Sequence, residues 1–228
     1  MKAQRLRVTF TRGEDVKYIS HLDLMRFWER ALRRANVPVS YSEGFSPHAQ
    51  ISLAAPLPVG TTSDAELMDI FLSEPMPPRD LIAVVTPQLP PPIAIRSVEE
   101  VGVALPALQA DVRFAEYEVD VPATADAATA VANFLAAATV PWEHKREDEV
   151  RSYDIRAQVE QIDVARVDDA TIRLRMRLKN DNAGSGRPEQ VVAALGFGAP
   201  FRIHRTALVL AGGSPAREAW RKRGRFAS

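Results

Sequence analysis

The sequence contains no cysteine. That excludes a disulfide framework, a thiolate zinc site, a cysteine nucleophile and an iron–sulfur cluster held by this chain alone. Histidine is scarce as well. His21, His48, His144 and His204 are scattered and show no H-E-x-x-H spacing, so no metal and no cofactor is expected on the chain. No window approaches 18 uncharged apolar residues, which leaves no transmembrane helix. MKAQRLRVTF enters an alternating pattern at once, without an apolar signal core, so a cytoplasmic protein with no membrane partner is expected. A Walker-type Gly-Lys-Ser/Thr is missing, and so is the RNP consensus of RNA-recognition motifs. What is present is globular: 228 residues, 46% hydrophobic and 25% charged, enough for one large domain or two small ones.

The formal net charge is zero, from 29 basic and 29 acidic residues, but the charges are not evenly spread. Residues 1–50 carry 9 basic and 5 acidic groups, and residues 201–228 carry 7 and 1. The middle holds 13 basic and 23 acidic groups. Basic ends around an acidic middle make one electropositive region if the ends meet in space, or else a solvated basic extension.

Periodicity divides the chain into two similar halves. Arg5 to Thr11 alternates like a half-buried strand. Ser20 and Asp23 form a capping-box pattern ahead of a helix from Leu22 to Ala35, whose apolar face includes Leu24, Phe27, Trp28, Ala31 and Leu32. Strands follow at 50–55 and 65–72, a short helix at 80–89 and a strand at 93–98. The weakly charged stretch 102–111 separates the halves. The second half repeats the order with a strand at 114–121, a helix at 125–138, strands at 150–164 and 171–179, a helix at 188–195 and a strand at 201–210. Two β-α-β-β-α-β runs predict an α+β protein made of two ferredoxin-like domains in tandem, with antiparallel sheets and helices on one face. The expected domains are 1–105 and 112–212, followed by a basic tail, 213–228.

Candidate functional residues fall in four places. Arg26, Arg30, Arg33 and Arg34 share one helix face with only Glu29 among them, a stripe suited to phosphates or to an acidic partner. The loop Tyr41-Ser42-Glu43-Gly44-Phe45-Ser46-Pro47-His48 holds more functional groups than a turn needs, which suits contact with a nucleotide or a partner. Within it Tyr41 and His48, with His21 nearby in sequence, are candidates for proton transfer. In 171–179, Arg173, Arg175 and Arg177 alternate with apolar residues. They either track a phosphate backbone or pair across the sheet with Glu116, Glu118 and Asp120. The tail interleaves Arg217, Arg221, Lys222, Arg223 and Arg225 with Trp220 and Phe226, which suits a nucleic acid or an acidic groove. The Gly-rich NDNAGSGR, 180–187, precedes a helix and reads as a flexible loop.

The stretch YISHLDLMRFWERALRRANVPVSYSEGFSPHAQISLAAPLPVG resembles the radical-SAM-linked protein family, a bacterial domain of unknown function encoded beside, or fused to, a radical SAM protein with a cobalamin-binding-like region. The matching positions are Ser20, His21, Leu22, Asp23, Arg26, Arg30 and Ala31, then Tyr41, Ser42, Gly44, Phe45, Pro47 and His48, then Pro56, Leu57 and Gly60. The resemblance implies a stand-alone partner of a radical SAM enzyme, with the iron–sulfur cluster on that partner. It brings no catalytic residues. The element order also resembles, in architecture only, RAMP-type CRISPR endoribonucleases. Three functions follow as expectations. The first is a non-catalytic accessory protein that binds tRNA or rRNA and presents it to the radical SAM enzyme. The others are a metal-independent endoribonuclease using His21, Tyr41 or His48, and a protein-docking module without RNA.

Overall fold

A computed structural model describes residues 2–146, 149–181 and 184–212. The basic tail, 213–228, lies outside the described residues, as do positions 182 and 183 of the Gly-rich loop. The architecture is α+β, built on antiparallel strand pairs with helices packed against them. Among the described residues no helix is long and apolar enough to cross a membrane. The chain divides into two compact units, Met1–Val112 and Arg113–Ser228.

The first unit runs β1 (Gln4–Arg12), α1 (His21–Arg34), β2 (Ile51–Leu53), β3 (Thr62–Leu72), α2 (Pro78–Val85) and β4 (Ile95–Val101), then the single turn α3 (Leu108–Asp111). β3 and β4 flank β1 and β2 lies beyond β3, giving the spatial order β4-β1-β3-β2 with every pairing antiparallel. The even residues of β1, Leu6, Val8 and Phe10, face the helices together with Met68, Ile70 and Leu72 of β3. Leu24, Trp28 and Leu32 of α1, with Leu81 and Val85 of α2, close the core over them. Trp28 meets Phe10 edge-on at 4.9 Å between ring centroids. Burying such rings supplies much of the drive for this layer.

The second unit runs β5 (Val112–Pro122), α4 (Ala127–Ala136), β6 (Pro141–Arg146), β7 (Glu149–Asp154), β8 (Val159–Arg166), β9 (Thr171–Asp181), β10 (Gly184–Ser185), α5 (Pro188–Ala194) and β11 (Arg202–Leu210). Its main sheet has the order β8-β9-β5-β11, with β10 added at one end of β9. Ala115, Tyr117, Val119 and Val121 of β5 lie opposite Leu178, Met176, Leu174 and Ile172 of β9, and all eight are buried.

The sequence pattern predicts one long strand over 150–164, and the structure breaks it. β6 and β7 form a separate hairpin, a turn of 3-10 helix follows at Arg156–Gln158, and only then does β8 begin. Asp154 causes the break. One of its carboxylate oxygens accepts from the backbone N–H of Val140 at 2.8 Å and of Arg156 at 3.0 Å. The Arg156 guanidinium then donates to the carbonyls of Leu135, at 3.2 Å, and Val159, at 2.7 Å. Side-chain bonds of this kind compete with the strand ladder and end it.

Candidate nucleic-acid interface

The first helix is fixed at both ends by its own sequence. The Ser20 hydroxyl caps the N-terminus by accepting from the Asp23 N–H at 3.1 Å, and it donates to the Asp23 carboxylate at 2.7 Å. Asn36 takes the left-handed conformation, φ 53°, just past the last turn, and Pro38 bars continuation. With Leu24, Trp28, Ala31 and Leu32 buried, the 100° step of the helix turns Arg26, Arg30, Arg33 and Arg34 outward, and all four are exposed. Arg26 lies 3.6 Å from the exposed Asp23 carboxylate. Among the described residues, no side-chain hydrogen bond or ion pair engages Arg30, Arg33 or Arg34. Leu22 shares their azimuth and is also exposed. From Arg26 to Arg34 the stripe is about 12 Å long at the helical rise.

The turn leading into α1 is held from inside the unit. Arg12, at the end of β1, is buried, and its guanidinium donates to the carbonyls of Val16 and Lys17, both at 3.2 Å, and to that of Ile19. The Gly60 N–H adds a bond to the Lys17 carbonyl at 2.9 Å. Between these anchors Tyr18 projects outward, 72% exposed. Tyr18 is a surface aromatic that periodicity does not single out, because it precedes the helix and belongs to no repeating pattern.

The loop from Tyr41 to His48 closes on itself as a small hairpin. Tyr41 bridges Ala49, the Ser42 N–H donates to the His48 carbonyl at 2.9 Å, and the Ser42 hydroxyl accepts from the His48 N–H at 2.9 Å. Gly44 supplies the left-handed step at the tip, φ 117°, and Phe45 beside it is fully exposed. Tyr41, Glu43 and His48 are exposed as well. His21 stands in the first turn of α1, and among the described residues no hydrogen bond joins it to Tyr41, Glu43 or His48. The expected proton-transfer set is thus not joined by hydrogen bonds among the described residues, and all of its side chains are exposed. Nor does any cluster of three or more His, Asp or Glu among the described residues form a metal site.

Arg173, Arg175 and Arg177 occupy a different environment. Register places them directly opposite Asp120, Glu118 and Glu116 of β5. Arg173 grips Asp120 with two bonds, 2.6 and 2.9 Å, and lies 3.5 Å from Glu118. Arg175 stands 3.5 Å from Glu118, and Arg177 3.9 Å from Glu116 and 4.8 Å above the Phe114 ring. Arg202 of β11 adds a contact to Asp120 at 3.5 Å. Burial pushes the Asp120 carboxyl up, but the hydrogen bond and charge of Arg173, with Arg202, outweigh it and hold the group below the ordinary carboxylate range. Of the two readings for these cations, phosphate track or cross-strand ladder, the structure has the ladder. Their guanidinium groups face internal carboxylates.

The outer face of the first sheet carries a feature that the sequence reading missed. Arg5 and Arg7, on the β1 face opposite Leu6 and Val8, converge on Asp69 of β3, which has no exposed surface. Arg5 Nε and Arg7 Nε each donate to the carboxylate at 2.8 Å, and both Nη2 atoms join them. Arg5 reaches further to the carbonyls of Leu105, at 2.8 Å, and Pro106, at 2.9 Å. It thereby fastens the segment after β4 to the sheet face. The Gln109 amide repeats this by donating to the Ser52 hydroxyl at 2.6 Å. This face is therefore covered by a strap and an ion cluster.

Comparison with known proteins adds a family. The model described as "Uncharacterized protein conserved in bacteria (DUF2344)" matches residues 5–188. No curated protein matches the chain. Among solved structures, the chain is similar to one from the crystal structure of a Cbf5-Nop10-Gar1 complex, at TM-score 0.48 and 10% identity over 91% of this chain and 49% of that one. It is similar also to one from an H/ACA RNP bound to a substrate RNA containing 2'-deoxyuridine, at TM-score 0.42 and 12% identity over 89% and 46%. An unknown protein from Galdieria sulphuraria follows at TM-score 0.27 and 15% identity over 85% and 89%. The chain spans about half the length of the first of these. TM-scores below 0.5 at such identities establish no shared function.

Proposed function

The chain belongs to the DUF2344 family of conserved bacterial proteins, and on that premise we propose that it is a radical-SAM-associated accessory protein that binds RNA, of the tRNA or rRNA class, and presents it to a partner radical SAM enzyme in the cytoplasm. One observation carries the RNA half of this reading. Arg26, Arg30, Arg33 and Arg34 stand together on one exposed helix face, and three of them have no partner among the described residues. Like charges at i, i+4 destabilise a helix by roughly 0.2–0.5 kcal/mol per pair. Arg26–Arg30 and Arg30–Arg34 are two such pairs; Arg33 and Arg34 gain from the dipole in the last turn, whereas Arg30 in mid-helix sits between two like charges with no such offset. Local conflicts of that kind concentrate where a ligand is bound.

The radical SAM half rests on the motif resemblance over residues 20–60. The absence of cysteine suits it, because the cluster then resides on the partner. The strand orders β4-β1-β3-β2 and β8-β9-β5-β11 support reading the two units as ferredoxin-like domains. The Tyr41–His48 hairpin, with Phe45 at its tip, offers a second contact for nucleotide or partner.

Fluorescence anisotropy with labelled bacterial tRNA at 50–200 mM salt tests the proposal. Each single-strand phosphate neutralised contributes about 0.7 to the slope of log K against log salt. Four engaged cations give a slope near −2.8, or roughly a 50-fold loss over that range. Arg30→Ala with Arg33→Ala halves the slope to about −1.4. Absent binding, or an unchanged slope in the double variant, overturns the RNA reading. A partner enzyme that co-purifies after RNase and high salt would then leave the docking role alone.

A further inference from the structure

We propose that the RNA held by α1 is single-stranded and that one unpaired base stacks on Tyr18. This rests on the RNA reading of the arginine stripe and narrows it to a class of substrate. The first argument is presentation. Tyr18 is 72% exposed, two residues before the Ser20 cap, so its ring lies at the N-terminal end of the helix that carries the cations. An exposed aromatic on a loose turn would lose entropy on stacking. Here the backbone on both sides of the ring is already fixed, because the buried Arg12 holds the carbonyls of Val16, Lys17 and Ile19. Gly60, whose positive φ of 85° suits a glycine turn, anchors Lys17 from the other side, and a Cβ at this position would touch the ring edge at van der Waals distance. A buried arginine that orders three carbonyls around one outward ring preorganises that ring.

The second argument is company. The Lys17 ammonium, which also pairs with Glu14 at 2.6 Å, lies 5.3 Å from the Tyr18 ring centroid, and the exposed Leu22 and Arg26 follow in the first turns of the helix. Aromatic and cationic groups in succession are the pattern of single-strand binding, where bases stack on rings and phosphates follow the cations. The third argument is length. A stripe of about 12 Å engages a few nucleotides, whereas shape-reading of duplex RNA spans about 16 base pairs.

The test titrates the full chain with a labelled 12-nucleotide RNA of mixed sequence, alone and annealed to its complement. Wild type binds the single strand more tightly. Tyr18→Ala lowers single-strand affinity by roughly 5- to 150-fold, the range for removing one stacked base, and leaves duplex affinity unchanged. Tyr18→Phe, which keeps the ring, binds like wild type. Thermal unfolding of Tyr18→Ala matches wild type, because the side chain is exposed. If Tyr18→Ala binds the single strand as wild type does, or if duplex binds equally well, the inference is wrong although the RNA reading stands, and the Tyr18–Leu22 surface is then left for a protein. If neither RNA binds, both fall together.

Discussion

Asp69 offers a large predicted energetic effect in the first unit. Its carboxylate accepts four bonds from two guanidinium groups, and Arg5 and Arg7 have side chains only 2% and 9% exposed. Asp69→Ala removes the shared counterion and leaves both cations in the sheet face. Breaking one buried pair costs about 3–5 kcal/mol, because the surviving charge stays desolvated. Arg5 keeps the Leu105 and Pro106 carbonyls as acceptors, which holds the estimate inside that range despite the second stranded cation. Against a typical domain stability of about 5–15 kcal/mol the loss is large. At roughly 4–8 °C per kcal/mol for a domain near this size, the melting point falls by more than about 10 °C. Urea unfolding followed by the fluorescence of Trp28, which is buried in the same unit, reads the change. Replacing Arg5, Asp69 and Arg7 together by apolar residues of similar volume recovers most of it, since neither desolvated charge remains. An Asp69→Ala variant within about 0.5 kcal/mol of wild type, the ordinary range of surface substitutions, would refute the account of this cluster.

Two further predictions concern the ladder and the histidines. The Asp120 carboxyl titrates below its unfolded value, so its contribution is complete above that unfolded value, about pH 4, and is lost as pH falls through the folded one. Urea midpoints measured from pH 6 downward should fall more steeply in wild type than in Asp120→Asn; parallel curves would show that the Arg173 pair does not couple to folding. Labelled tRNA incubated with the chain in EDTA should stay intact, because His21, Tyr41 and His48 are not joined by any hydrogen bond among the described residues. A cut that disappears in His48→Ala would establish the nuclease reading in place of the accessory one.

How far the sequence reveals this molecule depends on the range over which each feature is determined. The Ser20 cap, the buried face of α1 and the alternation of β1 and β9 are local, and they stand where periodicity places them. The β5–β9 ladder is legible because two neighbouring antiparallel strands carry alternating charges of opposite sign, which pair across the sheet once the strands meet. The Asp69 cluster is not legible. Arg5 and Arg7 look like the wet face of a strand, and their partner lies more than 60 residues away. A hint exists in β3, where Leu67 and Phe71 share the face of Asp69 while Met68, Ile70 and Leu72 fill the other. A strand apolar on both faces is covered on both faces. The weakly charged 102–111 stretch is the cover, although it reads as a linker. The hairpin of β6 and β7 is missed because Asp154 stops a strand by side-chain bonding, which hydrophobic period does not register.

The same distinction between spent and free cations separates α1 from β9. On paper Arg173, Arg175 and Arg177 form as good a phosphate track as the helix stripe. In a sheet, however, every outward residue meets a cross-strand neighbour about 4.5–5.5 Å away, and β5 supplies an acid at each position. A helix surface offers only its own i±3 and i±4 positions. For Arg30 these are Arg26, Phe27, Arg33 and Arg34, none of them acidic. Elsewhere in the first unit, Arg5 and Arg7 are taken by Asp69, Arg12 by backbone carbonyls and Lys17 by Glu14 at 2.6 Å. Thus the positive excess of residues 1–50 reaches solvent chiefly through α1, and that helix, not the strand with the more regular pattern, is where a polyanion finds unspent charge.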